Sequence, residues 1–239
     1  MKNMKQAELF DQREYSRPAD SLERQRLEEK FAPLMREELR LANQVSYMGN
    51  KDVPILRLYR YKEAFALSFV EDFIERFKLT GKDYIFDPFC GMGTTLLAAM
   101  RRGIPSIGVD KLPIATFIAR TLPIFFSLKR GEILSTFERL RAQVARAEPA
   151  DIALGVKIMN LAFPKDTLLT LRRWKTVIDA LEPPLRDIFL LLFFSILEPC
   201  SYTAKDGQFL RLKPKKKLAE PEEALYRKVL DAERDIRFF

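Results

Sequence analysis

Histidine is absent from the chain, and only two cysteines, Cys90 and Cys200, occur among its 239 residues. Two cysteines are too few for a disulfide framework, and a chain without histidine lacks the usual zinc ligand sets. The sequence therefore predicts neither a disulfide-stabilised secreted protein nor a bound metal.

Long apolar runs are also missing. The N-terminal residues carry charges of both signs and contain nothing like the apolar core of a signal peptide, which predicts a cytoplasmic protein. The most apolar run, residues 188–197, is about half as long as a bilayer-crossing helix and is bordered by Arg186, Asp187 and Glu198. The run predicts a buried helix, and no membrane segment is expected.

Positive charge is abundant, with a formal net charge of +8 and a pI near 9.4. This excess favours a polyanionic partner, because Lys and Arg supply much of the affinity for nucleic acid by neutralising phosphates. A merely basic globular protein has the same charge. The motifs must decide between the two.

Apolar periodicity divides the chain into three regions. Residues 1–50 predict a helical arm, residues 51–128 an α/β part, and residues 129–239 a largely helical region. In the last region, helices are predicted over residues 132–147, 167–181, 185–197 and 220–238.

The α/β part begins with an amphipathic helix predicted over residues 63–78. A short strand over residues 84–86 follows, then a glycine-rich turn, a helix over residues 96–102 and a second strand over residues 104–109. A further helix is predicted over residues 114–122. The order strand, turn, helix, strand is the opening of a doubly wound α/β fold.

Gly91 and Gly93 lie in that turn, where the backbone can approach a ligand closely and helix N-terminal amides face a negative group. Thr94 and Thr95 can cap the helix or bind the ligand through their hydroxyls. Asp110 lies 19 positions after Gly91, at the end of the next strand, where a carboxylate can accept both hydrogen bonds of a ribose diol. Together they predict a cradle for a nucleoside.

Two other interpretations use the same residues. One is a tight strand-to-helix turn with Asp110 as a helix cap. The other is a dinucleotide fingerprint, but Leu96 stands where that fingerprint has its third glycine. The missing glycine disfavours a pyrophosphate and favours a smaller nucleoside ligand.

The segment Asp87-Pro88-Phe89-Cys90-Gly91-Met92-Gly93-Thr94-Thr95 resembles the cofactor motif of DNA methyltransferases that modify exocyclic amino groups, N4 of cytosine or N6 of adenine. Tyr59-Arg60-Tyr61-Lys62 resembles the segment that closes over the methionine part of the cofactor in this family. Ile107-Gly108-Val109-Asp110 resembles the strand with the ribose-binding acid. The similarity is good over residues 43–122 and weaker over residues 201–209.

The resemblance implies S-adenosylmethionine as the cofactor and a role for each matched residue. It places Thr95, and also Lys62, at the cofactor carboxylate, Asp110 at the ribose and Leu112 beside the adenine. The amino-acid end of the cofactor is assigned to Asp87, Phe89, Gly91 and Gly93. Cys90 takes a position where small residues are common, so it is expected to pack rather than to act as a nucleophile. The residues expected at the cofactor are Tyr61, Lys62, Asp87, Phe89, Cys90, Gly91, Gly93, Thr94, Thr95, Asp110 and Leu112.

The catalytic motif of the resembled family is missing from the sequence. An exocyclic amine is a poor nucleophile because its lone pair is delocalised, and the family activates it with Asp, Asn or Ser before Pro-Pro and an aromatic residue. The one Pro-Pro pair, Pro183-Pro184, stands between Glu182 and Leu185 and separates two predicted helices. No catalytic residue is therefore predicted in this chain.

Pro199-Cys200 could be compared with the Pro-Cys nucleophile of cytosine C5 methyltransferases. The preceding glycines of that family and its later motifs are absent, so a helix-ending proline beside an ordinary cysteine is favoured. C5 chemistry remains an alternative.

Two predicted strands are too few for a doubly wound sheet, in which the strand before the glycine-rich turn is central and has a neighbour on each side. Such a chain would leave a strand edge and an apolar face exposed. We therefore predict a partial Rossmann-like fold of the α/β class, completed by a second methyltransferase subunit that carries the catalytic motif.

Basic residues in the helical region predict contacts with double-stranded DNA, with Tyr202 and Phe209 interleaved among the later ones. A solvated basic loop between helices has the same composition. Trp174, at helical spacing from Leu171 and Ile178, is expected in the core. The residues expected at the nucleic acid are Arg172, Arg173, Lys205, Arg211, Lys213, Lys215 and Lys216.

The favoured function is the cofactor-binding subunit of a split DNA amino-methyltransferase of a bacterial modification system, active as a heterodimer. A methyltransferase-like regulatory or DNA-binding module without catalysis is the second interpretation. An RNA methyltransferase is the third, because some of those enzymes share Asp-Pro-Phe-Cys-Gly. The acceptor atom, N4 of cytosine or N6 of adenine, is left open by the sequence.

Overall fold

A computed structural model describes residues 18–152, 155–206, 209–213 and 217–236 of the chain. Packing divides the chain into two units, Met1–Ala42 and Asn43–Phe239. The first unit contains helix α1, Pro18–Phe31, followed by two short 3₁₀ turns at Ala32–Leu34 and Leu39–Leu41. The α-helix ends at Phe31, two residues before Pro33, which has no N–H to continue the helical hydrogen bonds.

The second unit begins with 3₁₀ turns at Tyr47–Asn50 and Leu56–Leu58, followed by helix α2, Leu67–Arg76. Helix α2 is shorter than predicted. Its inner face buries Leu67, Val70 and Ile74. Phe65, Phe69, Phe73 and Phe77, the aromatic residues that sequence periodicity assigns to the packed face, form a row of ring contacts instead, and Phe77 is 68% exposed.

Strands β1, Ile85–Asp87, and β2, Ser106–Gly108, form a parallel pair joined through helix α3, Thr94–Arg101. Phe86 is opposite Ile107 in the register. Two further backbone bonds, from Val109 N–H to Asp87 O and from Cys90 N–H to Val109 O, both 2.9 Å, continue the ladder past the strand ends. The carboxyl ends of both strands therefore lie side by side, as the strand, turn, helix, strand order predicts.

Helix α4, Pro113–Thr121, follows with proline at its first turn, and a 3₁₀ turn at Leu122–Ser127 ends the α/β part. The remaining elements are α5 (Glu132–Val144), α6 (Lys157–Ala162), α7 (Lys165–Asp179), α8 (Leu185–Leu197), β3 (Thr203–Asp206), β4 (Phe209–Leu212) and α9 (Pro221–Asp235). Helix α8 has the predicted bounds and the predicted burial, whereas α6 and the hairpin β3–β4 were not predicted.

One apolar core runs through the second unit and joins the α/β part to the helices that follow it. Trp174 of α7 is fully buried and stacks on Phe137 of α5, with ring centroids 5.4 Å apart, which confirms its prediction as a core residue. Phe117 of α4 meets Phe194 of α8 edge to face at 5.7 Å. Packing thus separates the chain after Ala42, and the predicted division into residues 1–50, 51–128 and 129–239 stays a prediction.

Helix α8 is the most apolar helix, and it has only 13 residues. Across the part of the chain that the structure describes, no helix has both the length and the apolar character needed to span a membrane.

Candidate cofactor-binding site

Two carboxylates organise the loops at the carboxyl ends of β1 and β2. Asp87 accepts hydrogen bonds from Phe89 N–H at 3.0 Å and from the Thr95 hydroxyl at 2.6 Å. Asp110 accepts from Gly91 N–H at 2.9 Å and from Leu112 N–H at 2.8 Å. Each carboxylate therefore fixes the backbone of a loop while remaining at the same end of the sheet.

The glycine-rich turn needs glycine at two positions. Gly91 and Gly93 have φ angles of +51° and +89°, which side chains rarely adopt. A Cβ on Gly93 would also lie 3.0 Å from Ala119 Cβ of α4, and one on Gly91 would lie 3.3 Å from the Tyr61 ring. The turn is therefore packed closely from both sides.

Cys90 packs directly on the second strand. A Cβ on Gly108 would lie 2.7 Å from Cys90 Cβ and 2.8 Å from its Sγ, so this strand position must be glycine. Burial raises the pKa of the Cys90 thiol, and the carboxylates of Asp87 and Asp110 raise it further. A thiol with a raised pKa is a weak nucleophile at neutral pH, which agrees with a packing role.

The threonines after the turn differ in their bonding. Thr95 donates its only hydroxyl proton to Asp87, so it has none left for an anionic ligand. Thr94 is 3% exposed, and its Oγ1 has no hydrogen-bond partner among the described residues. Thr94 can therefore donate to a ligand at the start of α3. The assignment of Thr95 to the cofactor carboxylate stays a prediction.

Exposed apolar side chains border the turn. Phe89 is 85% exposed and Leu112 is 52% exposed, and both belong to the loops that Asp87 and Asp110 fix. Such exposed side chains on ordered loops are available to contact a flat ring such as a nucleobase.

The segment Tyr59–Lys62 reaches the turn through Tyr61. The side chain of Tyr61 is buried, and burial raises the pKa of its hydroxyl, with Asp110 as the next contributor. Lys62 is half-buried beside it. The structure thus brings Tyr61 together with the turn and with Asp110, as the resemblance implies.

Asn50, which was not predicted as a site residue, fixes the backbone just after this segment, where α2 begins. Its side-chain amide donates to Phe65 O at 2.8 Å, and its side-chain oxygen accepts from Leu67 N–H at 2.8 Å, where α2 begins. In the sequence, Asn50 stands out only as a polar residue in an aromatic-rich stretch. Asparagine is common in turns, so this signal does not identify a site residue.

A second unpredicted anchor comes from α9. Asp235 is fully buried and accepts from Ile55 N–H at 2.7 Å and from Arg57 Nε at 3.1 Å, and it also bonds Arg57 Nη2. Ile55 has a φ of +69°, which is strained for a β-branched residue. The C-terminal helix therefore fixes the chain just before Tyr59–Lys62.

The residues predicted to contact DNA lie on two different elements. Arg172 and Arg173 are half-buried on α7, and Arg172 Nε donates to Ala150 O at 2.6 Å. Arg211 and Lys213 are exposed at and just after β4. Lys205 belongs to β3, and its side chain, like Lys215 and Lys216 as a whole, lies outside the described residues. All seven stay predictions.

A family model described as DNA methylase matches residues 15–117, which include the turn, both strands and both carboxylates. The chain belongs to the DNA amino-methyltransferase family. The match thus confirms the family that the sequence of the turn indicates.

Curated relatives of this chain are type II methyltransferases. M.BsoBI of Geobacillus stearothermophilus is 35% identical over 201 residues, which are 81% of this chain and 38% of the relative. M.AvaI of Nostoc sp. is 31% identical over 188 residues, or 77% of this chain and 39% of the relative. M.MjaII of Methanocaldococcus jannaschii is 45% identical over 62 residues.

The chain thus spans about two fifths of the length of the first two relatives. No solved structure matches it significantly. Within the described residues, no group of three cysteine, aspartate or glutamate side chains is placed to hold a metal ion.

Proposed function

We propose that this chain is the S-adenosylmethionine-binding subunit of a DNA amino-methyltransferase whose catalytic Pro-Pro-aromatic motif comes from a second polypeptide. The observation that carries the proposal is the glycine-rich turn held between two carboxylates at the adjacent ends of parallel strands. Ligands of doubly wound folds bind in this place, outside the carboxyl ends of the strands.

The residues at the turn fit the chemistry of this cofactor, which supplies the methyl group when bound. The Asp110 carboxylate has about four lone-pair positions and uses two on backbone N–H groups, so each oxygen can accept one more hydrogen bond from a ribose hydroxyl. The buried Thr94 hydroxyl, with no partner among the described residues, can donate to the carboxylate of the amino-acid end. Leu112 offers exposed apolar surface for the adenine ring.

One bare face of the sheet supports a second polypeptide. Helix α3 packs against β1 and β2, while Phe86, Ile107 and Val109 are 62%, 50% and 51% exposed on one face of the strands. Parallel sheets are normally covered on both faces, because their strands are apolar on both sides. A segment that adds strands and a helix to this face would bury all three residues.

Co-expression is the direct test of the split arrangement. We expect transfer of radiolabelled methyl groups to DNA only when this chain is expressed with the product of the neighbouring reading frame, in which we expect Asp-Pro-Pro-Tyr or Ser-Pro-Pro-Tyr. The matched control replaces the acidic or serine residue of that motif with alanine, which should abolish transfer without preventing complex formation. Methylation by this chain alone, purified to homogeneity, would contradict the split arrangement.

The basic stretch after β4 gives a second prediction, on DNA binding. Reversing the charge of Lys213, Lys215 and Lys216 should weaken binding to a DNA duplex and reduce the slope of log affinity against log salt by up to about 3, or roughly 0.9 for each lost phosphate contact. Fluorescence anisotropy over a salt series measures both. The same reversal at Lys129 and Arg139, exposed elsewhere in the second unit, is the control. An unchanged slope would indicate a solvated loop.

A further inference from the structure

A cavity of about 230 Å³ lies beside the segment Tyr59–Lys62, on the side of Tyr61 and Met92. Cationic side chains from two parts of the second unit meet there. Lys51, Arg57 and Arg60 come from the loops before α2, and Lys228 comes from α9. No acidic residue lines the cavity among the described residues. Like charges gathered in one cavity without an acid favour an anionic ligand.

The cations differ in how far their charges are already offset. Arg57 forms an ion pair with the buried Asp235, and this carboxylate largely neutralises the Arg57 charge. None of the ion pairs among the described residues involves Lys51, Arg60 or Lys228. These three groups are therefore the ones that a ligand would neutralise.

Tyr47 holds two of these cations near each other. Arg60 donates to the Tyr47 hydroxyl at 2.8 Å, and its guanidinium lies 5.5 Å from the centre of the Tyr47 ring. The Lys51 ammonium lies 6.0 Å from the same ring centre. An aromatic ring that attracts two cations positions them without neutralising either, because cation–π attraction leaves their hydrogen-bond donors available.

Lys228 contributes the third cation from within the cavity wall. Its ammonium donates to Arg57 O at 3.2 Å, which uses one of its three donor positions. Burial lowers the pKa of the Lys228 amine, with nearby Asp231 opposing that effect. A bound anion would raise this pKa again, because an opposite charge stabilises the ammonium form.

We propose that this cavity is a phosphate-binding site formed by Lys51, Arg60 and Lys228, separate from the proposed S-adenosylmethionine site at Asp87 and Asp110. Because none of the described residues that line the cavity is acidic, a phosphate is favoured over the amino-acid end of the cofactor, whose ammonium group would need a carboxylate partner. The phosphate that binds there comes from the DNA backbone. This choice of DNA as the source rests on the proposed function, whereas the phosphate site itself does not.

Inorganic phosphate tests the site with this chain alone. Titration calorimetry or ³¹P NMR should detect binding, and Arg60→Gln and Lys228→Met should each weaken it about tenfold, as expected for loss of one charge-assisted hydrogen bond. Arg139→Gln and Lys129→Met, which remove exposed charges elsewhere, should leave it unchanged. Thermal unfolding of each variant checks that the fold is intact. Equal phosphate binding by all four variants would overturn the proposal.

The pKa of Lys228 offers a readout that a purely structural lysine would not show. The ¹³Cε resonance of Lys228, titrated with and without phosphate, should report a higher pKa in the presence of phosphate. Arg60→Gln should reduce that rise, because it weakens the same bound anion. If the pKa of Lys228 does not change at saturating phosphate, the proposed site is contradicted.

A DNA duplex and the cofactor test the source of the phosphate. With DNA, Arg60→Gln and Lys228→Met should each lower the salt slope by at most about 0.9, and the double variant by no more than about 0.9, because both contact one phosphate. An unchanged slope, with phosphate binding lost, would overturn DNA as the source. Weakened S-adenosylmethionine binding with normal phosphate binding would assign the cavity to the cofactor and overturn the proposal. Failure of methylation with the partner present would instead count against the proposed function.

Discussion

Replacing Asp235 with alanine is expected to lower the free energy of unfolding by about 3 kcal/mol. Removing one partner of a buried ion pair destabilises the folded protein, because the other charge is left without compensation. The substitution leaves the Ile55 N–H without its acceptor and the Arg57 guanidinium without its carboxylate. Arg57 is partly exposed and can regain water, so the loss should fall at the lower end of the range for buried pairs. Equilibrium urea unfolding measures the change.

Asp231→Ala is the matched control, since Asp231 lies one turn earlier on α9 and pairs with Arg234 at the surface. It should cost less than about 1 kcal/mol. Asp235→Asn should fall between the two, because the amide oxygen can still accept from Ile55 N–H but carries no charge for Arg57. A loss below about 1 kcal/mol for Asp235→Ala would mean that α9 does not anchor the first loops.

The same variant should also affect the cofactor site. Asp235 holds the strained backbone at Ile55, and Tyr61 follows six residues later against Gly91. Release of Ile55 would let Tyr61 move away from the turn. We therefore expect weaker binding of S-adenosylmethionine by Asp235→Ala even at temperatures where the variant is folded.

Replacing Asp110 with alanine is expected to weaken S-adenosylmethionine binding by about 100-fold, as expected for the loss of two hydrogen bonds to a charged acceptor. Titration calorimetry with the partner subunit present measures the effect. Asp83→Ala is the control, because Asp83 also accepts a backbone N–H in a loop, that of Thr80 at 2.7 Å, but lies before β1. Its substitution should leave the affinity unchanged.

Asp110 also accepts hydrogen bonds from the backbone of Gly91 and Leu112. A loss of affinity alone would therefore not show whether Asp110 binds the ribose or only holds these loops. A cofactor analogue without the two ribose hydroxyls separates the roles. The wild-type chain should bind the analogue much more weakly than the cofactor, whereas Asp110→Ala should bind both about equally. If the variant still prefers the cofactor by the wild-type factor, Asp110 acts only on the loop.

Local patterns in the sequence predicted most elements of the second unit. The bounds of α8 follow directly from an apolar run between Pro184 and Pro199, because proline interrupts helices at predictable positions. The hairpin β3–β4 was missed although Asp206-Gly207 is a common turn dipeptide, because the charged residues around it resemble a solvated loop. The length of α2 was overestimated because its aromatic row continues beyond the helix at both ends.

The turn from Asp87 to Thr95 and the acid at Asp110 were recognisable from the sequence alone, because a nucleoside cradle needs glycines, hydroxyls and a carboxylate at fixed spacings along one strand-turn-helix-strand segment. The family match confirms the family indicated by that segment. Tertiary structure decided what spacing cannot encode. It packed Gly108 against Cys90, left the Thr94 hydroxyl without a partner among the described residues, and brought Asp235 to Ile55 across 180 residues of sequence. Contacts of this kind depend on how helices pack, and a buried carboxylate on α9 has the same local sequence signal as a solvated one.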